Sequence, residues 1–538
     1  MTDQHGYDLS VIAEAVGGTP LDLVKGRSIK HLSIDSRRSV FPEGTLFIPL
    51  KGERHDGHDH LKEIARKGVM SFLISTEGRR LNDPGCTHVL VNDTLDALQR
   101  LAGWHRGHFH FPVIGITGSN GKTVVKEWLY QMLEGQYRIV RSPGSWNSQV
   151  GVPLSVWEMR SEHELAIFEA GISKPGEMAQ LRSIIRPTIG IFTNIGPAHG
   201  ENFKNELEKA QEKIKLFNDA ETLIYCADHP TVKEALKGNG LDQRLKLRGW
   251  SREENGWLHV VREERKISST SISVLNDKTE FTFEIPFTDE ASIENALHCV
   301  TLLLHLGHDP EWIATRTAHL HPVAMRLEVV DGTHGIKLIN DAYSNDLASL
   351  RIALDHLGVV GAGTRKVVVL STMLESGVPP EMLAARIFDL LARAGVDLLI
   401  TVGAGPEFNA GRSSCEVRSF PDAATMLAQV APADLAGSTV LVKGARTFAL
   451  EQVVQRWEQK VHGTVLEIDL EAIRHNLNHY RSLLEPGVRI MAMVKAFGYG
   501  SGALELARLF AHEQVHYLGV AYVDEGVELR RNGITLPI

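Results

Sequence analysis

A glycine-rich loop that ends in a lysine and a threonine is the strongest chemical signal in the sequence. Residues 115–123 read Gly-Ile-Thr-Gly-Ser-Asn-Gly-Lys-Thr. Glycines let such a loop turn its backbone N–H groups toward a phosphate, and a following helix N-terminus favours the anion. The lysine reaches the terminal phosphates, and the threonine hydroxyl binds Mg²⁺. The residues predicted to bind the phosphates and the metal are Gly118, Ser119, Asn120, Gly121, Lys122 and Thr123.

The elements on either side of this loop are those that a phosphate site needs. An apolar run at 111–114 predicts a strand before the loop, and residues 124–131 predict a helix after it. One position departs from the general pattern, because Ile116 stands where a glycine is usual and the upstream glycine is Gly115. A chance Gly-Lys-Thr turn is the alternative, and the flanking strand and helix argue against it.

Carboxylate, imidazole and amine side chains follow in the same region. Glu169 lies near the end of the apolar strand 165–171, where an acid beside a phosphate loop is a candidate Mg²⁺ ligand. His199 follows a second apolar strand at 189–195, and a purely structural histidine is the alternative there. A charged helix at 205–216 carries several lysines, and their spacing singles out none of them.

The composition is that of an ordinary globular protein. The 538 residues correspond to three or four domains, with 43% hydrophobic and 23% charged residues. A formal charge of −9 argues against a nucleic-acid surface, and four separated cysteines indicate neither disulfides nor a zinc site. The sequence carries no basic and apolar leader and no run of about 18 apolar residues. We therefore expect a cytoplasmic protein without membrane insertion.

Short strands and helices alternate along most of the chain, which predicts an α/β protein. Residues 1–109 form a first domain, in which Ser36 and Arg37 could bind a diphosphate, although a solvated loop is the commoner arrangement. The glycine-rich loop lies in a second domain at 110–320. A third domain at 321–460 repeats the alternation and predicts a mainly parallel sheet.

The chain changes character in its last segment. Residues 464–538 begin the strand–helix rhythm of a β/α barrel, which needs about 250 residues when complete. Residues 489–500 predict a strand that ends in Lys495 and a glycine-rich turn. A lysine at the carboxyl end of a barrel strand lies on the catalytic face, where burial can prepare it for a Schiff base. A surface lysine is the alternative.

Residues 8–460 resemble the Mur ligase family, the ATP-dependent amide-forming enzymes of peptidoglycan synthesis. The displaced glycine of the loop is a feature of that family. The resemblance rests on several motifs that occur in the family's order. They are Asp35-Ser36-Arg37, Phe47 to Gly52 with Asp56-Gly57-His58, Gly115 to Thr123, Asn147 with Gly151-Val152-Pro153, Glu169-Ala170-Gly171, Gly176-Glu177, Thr193-Asn194-Ile195 with Ala198-His199, and Lys443-Gly444-Ala445-Arg446.

This resemblance implies a three-domain α/β fold, with an N-terminal UDP-binding domain, a central P-loop ATPase domain and a C-terminal Rossmann-like domain. It is greatest to members that join D-alanyl-D-alanine to UDP-N-acetylmuramoyl-tripeptide with ATP and Mg²⁺. It implies that Lys122 binds ATP, that Thr123, Glu169 and His199 hold Mg²⁺, and that Lys213 becomes carbamylated. The remaining implied contacts are Asn295, Arg326 and Asp341 with ATP, and Ser36, Arg37 and Asn147 with the second substrate.

The last segment resembles the start of alanine racemase, a pyridoxal-phosphate enzyme family. The resemblance rests on residues 494–502, which read Val-Lys-Ala-Phe-Gly-Tyr-Gly-Ser-Gly, and it makes Lys495 the Schiff-base lysine. A fusion of this kind would make D-alanine and consume its dipeptide in one chain. Because the family's other catalytic groups would follow Ile538, we expect an incomplete barrel without racemase activity. We expect a monomeric ligase part, with a dimer possible through a complete racemase domain.

Other functions remain open from the sequence. A Mur ligase that adds diaminopimelate as the third residue carries an Asp-Asn-Pro-Arg motif, which this chain lacks, and folylpolyglutamate synthase lacks the Asp-Ser-Arg first domain. A non-catalytic relative that binds the nucleotide precursor is the alternative from another class. A relative without catalysis would be expected to have lost some of the catalytic residues. The set is complete here, which argues against that alternative: Lys122, Thr123, Glu169, His199 and Lys213. A third alternative makes the racemase the main activity, for which a longer chain would be needed.

Overall fold

Three α/β sheets follow one another along the first 459 residues in a computed structural model of the chain. Residues 1–459 form one compact unit and residues 460–538 a second one. Among the described residues, no helix is long and apolar enough to cross a bilayer. The structure describes residues 6–21, 26–35, 44–52, 55–196, 202–253, 256–323, 327–342, 345–373, 379–403, 415–459, 468–485, 488–499, 502–513 and 515–538.

The first sheet has five strands in the order β2-β7-β6-β5-β4, and only β2 runs antiparallel to its neighbour. Helices α1 and α3 cover its core, and α3 leads directly toward the central sheet. The elements are β1 Tyr7–Asp8, α1 Leu9–Val16, β2 Thr19–Leu21, β3 Ser28–Ile29, β4 His31–Ser33, β5 Thr45–Phe47, α2 Leu61–Arg66, β6 Ser71–Ile74, β7 Thr87–Leu90 and α3 Thr94–Arg106.

The central sheet has nine strands in the order β16-β15-β14-β13-β12-β11-β8-β10-β9. Strands β8 to β14 pair in parallel, whereas β14, β15 and β16 form an antiparallel meander. The elements are β8 Val113–Thr117, α4 Lys122–Leu133, β9 Ile139–Arg141, α5 Gly151–Trp157, β10 Leu165–Glu169, α6 Glu177–Ile185, β11 Ile189–Phe192, α7 Glu206–Ile214, β12 Thr222–Cys226, α8 Pro230–Gly238, β13 Lys246–Ser251, β14 Leu258–Arg265, β15 Thr270–Asn276, β16 Thr279–Ile285, α9 Glu290–His305 and α10 Pro310–Thr317.

Strand β8 lies at the middle of the core. All five of its residues are buried, and successive side chains enter different cores, Val113 on one face and Ile114 and Ile116 on the other. A strand that is covered by helices on both faces reads as a continuous apolar run. The strand and helix expected around the glycine-rich loop are therefore confirmed as β8 and α4.

The third sheet has six strands in the order β17-β18-β22-β19-β20-β21. Only β17 is antiparallel, which confirms the mainly parallel sheet expected from the β-α-β alternation. The elements are β17 Glu328–Asp331, β18 Lys337–Asp341, α11 Leu347–Val360, β19 Lys366–Ser371, α12 Pro380–Ala394, β20 Leu398–Val402, β21 Glu416–Phe420, α13 Ala423–Gln429, β22 Thr439–Lys443 and α14 Glu451–Trp457.

The second unit contains a two-stranded parallel sheet with helices after each strand. The strand expected at 489–500 ends earlier, at Met493, and residues 495–499 form a short helix instead of a turn. The apolar alternation of residues 465–470 also predicts a strand, and it falls mostly outside the described residues. The elements are α15 Leu470–Ser482, β23 Met491–Met493, α16 Lys495–Tyr499, α17 Ala503–His512, β24 Tyr517–Gly519 and α18 Val523–Arg531.

Candidate active site

The position of Ile116 explains why this loop departs from the usual glycine spacing. Ile116 belongs to β8 and is fully buried, so the phosphate-facing turn begins only at Gly118. Gly115 has a packing role, because a Cβ atom there would lie 2.8 Å from the Pro187 ring. Ile116 and Gly115 therefore contribute to packing in the core beneath the loop.

Two glycines shape the loop itself. Gly118 has a φ of 148°, and a Cβ atom there would come within 2.0 Å of Thr193 Oγ1. Gly121, with a φ of 81°, precedes α4 and contributes no side-chain cap to that helix. The first N–H groups of a helix have no partner within the helix and attract anions. The loop thus combines a tight backbone turn with a helix N-terminus.

The loops after β8 and β11 meet at the point where the strand order reverses. From β8 the chain proceeds to β9 on one side, and from β11 it proceeds to β12 on the other. Ser119 N–H donates to the Asn194 carbonyl at 2.9 Å, and Asn120 N–H donates to Asn194 Oδ1 at 2.9 Å. Open α/β sheets bind ligands at such a crevice outside the carboxyl ends of their strands.

Lys122 folds back over the loop that it follows. Its Nζ donates to the carbonyls of Gly118 and Ser119, at 2.9 Å each. The ammonium group therefore lies above the loop, where the terminal phosphates of a nucleotide would bind.

Glu169 is a fully buried carboxylate beside Thr123. Thr123 Oγ1 donates to Glu169 Oε2 at 3.1 Å, and the amide nitrogen of Asn147 lies 3.4 Å from the same oxygen. The predicted Mg²⁺ ligands Thr123 and Glu169 are thus adjacent. Asn147, predicted to contact the second substrate, lies beside this carboxylate and accepts a hydrogen bond from Gly171 N–H through its own carbonyl.

Lys126 completes the surroundings of Glu169 and was not predicted as a site residue. Its side chain is fully buried, and its Nζ lies 3.1 Å from Glu169 Oε1. The same nitrogen donates to the carbonyls of Ser142, at 2.7 Å, and Gly144. Lys126 lies one helical turn after Lys122, a spacing that puts both lysines on one face of α4. That spacing was the only signal in the sequence.

Lys213 is buried beneath the glycine-rich loop. Its Nζ donates to the Gly118 carbonyl at 3.1 Å, and the residue is 3% exposed. Burial holds the pKa of Lys213 well below its usual range, and the ammonium groups of Lys122 and Lys209 lower it further. Burial therefore favours the neutral form of this amine, which is its nucleophilic form.

A cavity lies next to the loop, between the central sheet and the third sheet. Its lining includes Asn120, Gly121, Trp128, Asn295, Asp341 and His356. Trp128 stacks on Phe287 with ring centroids 4.8 Å apart, which gives the cavity an aromatic side. Asp341 forms a buried ion pair with Lys443, its neighbour on β22. The predicted nucleotide contacts Asn295 and Asp341 therefore line one cavity.

Several predicted site residues are placed elsewhere or lie outside the described residues. Ser36, Arg37, His199 and Arg326 belong to the latter group, so their predicted contacts stay predictions. Within the described residues, no cluster of three or more histidine, cysteine or acidic side chains suits a metal ion. Lys495, in the second unit, is half-buried at the start of α16, immediately after β23 and Val494.

Comparison with known proteins identifies the family. Residues 116–303 match the Mur ligase middle domain, and residues 325–446 match the Mur ligase glutamate ligase domain. The UDP-N-acetylmuramoyl-tripeptide–D-alanyl-D-alanine ligase of Treponema pallidum is 30% identical over 469 residues, which cover 82% of this chain and 97% of the relative. The chain belongs to the Mur ligase family. The ligase of the same name from Bacillus subtilis is 29% identical and is covered over 96% of its length.

Solved structures support the Mur ligase fold. MurF from Acinetobacter baumannii superposes with a TM-score of 0.73 at 23% identity, covering 85% of this chain and 99% of that protein. MurF ligase from Thermotoga maritima, solved in complex with ADP, superposes with a TM-score of 0.67 at 23% identity, over 80% and 98%. Residues 468–538 of this Mur ligase match the alanine racemase N-terminal domain. The three-domain α/β fold and the racemase-like last segment are confirmed.

Proposed function

We propose that this chain is an ATP-dependent ligase that joins D-alanyl-D-alanine to UDP-N-acetylmuramoyl-tripeptide. The observation that carries the proposal is that the buried acid Glu169 and the buried amine Lys213 both bond to the glycine-rich loop, at Thr123 and at Gly118. Relatives with this activity in their name match the chain over almost their whole length, which supports the choice of substrates.

Mg²⁺ fits the surroundings of Glu169. A buried carboxylate and a threonine hydroxyl 3.1 Å apart are hard oxygen donors, and Mg²⁺ commonly adds phosphate oxygens and water to one or two such ligands. We propose that Thr123 and Glu169 would hold one Mg²⁺ beside the glycine-rich loop, and that His199 would help to hold a second metal. When bound, the metal supplies charge neutralisation at the phosphates.

Lys122 and the loop amides are proposed to act on the ATP phosphates. The substrate carboxylate oxygen forms a bond to the γ-phosphorus, and the bond to ADP breaks, which leaves an acyl phosphate. Positive charge and N–H donors in fixed positions stabilise the negative charge that spreads over the transferred group. The D-alanyl-D-alanine amine then bonds to the acyl carbon, loses a proton, and inorganic phosphate leaves.

Lys213 is proposed to be carbamylated. The neutral amine would bond to the carbon of CO₂ and lose a proton to water, so that a neutral side chain becomes an anionic carbamate. Its burial and lowered pKa favour this step, because the free amine is the reacting form. We expect activity to fall when CO₂ and bicarbonate are removed and to return when bicarbonate is added. A steady-state assay in degassed buffer measures this, and a Lys213→Arg variant without any bicarbonate response is its control.

The remaining proposed contacts divide between the two substrates. Asn295, Arg326 and Asp341 would bind the nucleoside part of ATP, and Ser36 and Arg37 would bind the uridine diphosphate. Asn147 lies between Glu169 and Gly171, where it would meet the reacting end of the peptide substrate. Domain closure over the ATP would bring the third sheet's residues into contact, as in other enzymes that exclude water by closing.

Phosphate release under matched conditions tests the function. With UDP-N-acetylmuramoyl-tripeptide, ATP and Mg²⁺, we expect sustained release only when D-alanyl-D-alanine is present, and not with L-alanyl-L-alanine or diaminopimelate. Lys122→Ala should lower the rate at least about a hundredfold, because the positive charge that stabilises the transferred phosphate is lost. Release that requires a different amine would contradict the substrates, and full activity of Lys122→Ala would contradict the site.

The racemase-like segment carries a separate and narrower proposal. Lys495 is the amine that pyridoxal phosphate would use, and it lies just after β23, on the side where barrel enzymes bind substrates. Nearby, both oxygens of Glu525 accept backbone N–H groups, from Ala496 at 2.8 Å and Ala521 at 2.7 Å. We propose cofactor binding at Lys495 only within a complete racemase barrel, and no ligase step depends on it.

A further inference from the structure

Helix α11 brings an unpartnered histidine to the cavity beside the glycine-rich loop. Nδ1 and Nε2 of His356 are both buried, and neither has a hydrogen-bond partner in the described part of the structure. Asp289 Oδ2 lies 4.0 Å from Nδ1, which is beyond hydrogen-bond distance. Buried polar atoms in folded proteins are nearly always paired, so an unpaired ring in a cavity points to a missing ligand atom.

The place of His356 relative to the loop limits what that ligand can be. The cavity that His356 lines also includes Asn120 and Gly121 of the phosphate loop. A nucleotide with its phosphates on the loop therefore has its ribose and base within the same cavity. The lining also includes the aromatic side chains of Trp128 and Phe287, whose apolar surface suits a purine ring.

The protonation state of His356 also suits hydrogen bonding to a purine base. Burial lowers the pKa of His356, and the carboxylates of Asp289 and Asp341, which face it, act in the opposite direction. The ring is consequently neutral near pH 7, with one N–H donor and one acceptor nitrogen. A purine edge offers both kinds of partner.

We infer that His356 hydrogen-bonds the purine base of the bound nucleotide and that α11 thereby takes part in base recognition. This inference rests on the proposed use of ATP and adds a residue that the loop motif does not contain. It also gives the third sheet a role in binding the base, opposite Asn295 on α9. Phosphate binding, by contrast, belongs to the loop and needs no contact with His356.

Calorimetric titration of the full chain tests whether His356 contributes to binding of the base and not to binding of the phosphates. ADP and inorganic tripolyphosphate, each with Mg²⁺, are titrated into the wild type, His356→Leu, His356→Gln and a control, His319→Leu. His319 follows α10 and is exposed, and its ring bonds the Thr315 carbonyl of that helix, so its variant should behave as the wild type does. We expect His356→Leu to weaken ADP binding about three- to tenfold and to leave tripolyphosphate binding unchanged. His356→Gln, which keeps a donor and an acceptor, should restore much of the loss.

The other outcomes are distinct. Unchanged ADP binding by His356→Leu, equal weakening of both ligands, or no restoration by His356→Gln would each overturn the inference. Repeating the titration with 2′-deoxy-ADP identifies the atom contacted. If the His356→Leu loss disappears with that ligand, the partner is the ribose hydroxyl and the base contact is wrong. A wild type that binds no ADP at all would contradict the proposed function itself.

Discussion

Lys126 and Glu169 form an ion pair without any exposure to solvent. Removing two charges from water is costly, and the cost is offset only when hydrogen bonds satisfy the remaining donors and lone pairs. Lys126 meets that condition through two carbonyls and through Glu127 Oε1 at 2.9 Å. Glu169 meets it at Oε2, which accepts from Thr123 and Asn147, whereas Oε1 has no hydrogen-bond partner among the described residues and is balanced by charge alone. Lys126 therefore holds one carboxylate oxygen and leaves the other directed toward Thr123.

Replacing Lys126 should be more damaging than replacing an exposed lysine. Lys126→Met leaves Glu169 buried without its cation, which costs about 3–5 kcal/mol in comparable pairs. We expect a clear drop in the calorimetric midpoint temperature, and Glu169→Gln in the same chain should recover part of it. Lys67→Met removes an exposed ion pair with Glu63 and should change the midpoint little. A double variant as unstable as Lys126→Met alone would contradict the pairing.

The difference between Lys122 and Lys126 shows what a sequence can indicate about single residues. Lys122 was predicted because its position after a glycine turn has one common chemical meaning. Lys126 was missed because a lysine in a helix is usually solvated, and only tertiary packing buries it. Two further residues were missed for the same reason, because their neighbours are distant in the chain. These are His356, which lies near Asp289, and Lys443 as the ion-pair partner of Asp341.

At the scale of elements, the loop between β8 and α4 depends on close contact with the loop after β11. A Cβ atom on Gly118 would collide with Thr193 Oγ1, a hydroxyl that donates to the carbonyls of Asn120 and Thr117. Any side chain there must displace one of the two loops. The contact explains how two separate strand ends form one site.

Gly118→Ala should consequently disturb the site more than the fold. We expect nucleotide affinity to fall at least about tenfold, because the loop amides lose their common orientation, as in other sites that hold ligands in fixed geometry. Titration with ADP measures this loss. Gly78→Ala is the matched control, since a Cβ atom at Gly78 meets nothing within 4 Å. Wild-type affinity in Gly118→Ala would mean that the contact with Thr193 is unimportant.

The elements that were predicted and those that were missed differ in pattern. Buried parallel strands such as β8 and β10 were predicted because their apolar runs end in loop residues. The meander β14–β16 was missed because its strands mix exposed charges with buried residues. Helix α16 was missed because its glycine-containing sequence, Lys-Ala-Phe-Gly-Tyr, favours a turn by local preference.

At the scale of the whole molecule, buried histidines couple stability to pH. Burial lowers the pKa of His105 and of His298 to about 3. His298 accepts from Trp250 Nε1 at 3.1 Å and donates to the Thr193 carbonyl at 2.8 Å, so it is neutral in the folded chain. Burial has the opposite consequence for Glu294, whose pKa is raised to about 7.

Acidification should therefore destabilise the protein. Below about pH 6.5 the unfolded chain binds protons at His105 and His298 that the folded chain does not, so stability is lost as the pH falls toward 3. Glu294 opposes this between pH 7 and 4.5, because its folded form takes up a proton first. Each group contributes about 1.4 kcal/mol per pH unit. The calorimetric midpoint temperature of the wild type should be lower at pH 5.5 than at pH 7.5. The same decrease should be larger for Glu294→Gln. An equal or smaller fall in Glu294→Gln would contradict the assignment.

The back-folded side chain of Lys122 is already ordered before any ligand binds. Its hydrogen bonds to the carbonyls of Gly118 and Ser119 hold the ammonium group at the loop. A phosphate that binds there therefore loses little affinity to the ordering of this side chain. Because this saving is common to all phosphate ligands, it cancels in the ratios of their dissociation constants. Selectivity among nucleotides therefore depends on the cavity, whereas the loop and Lys122 contribute to the affinity of every phosphate ligand.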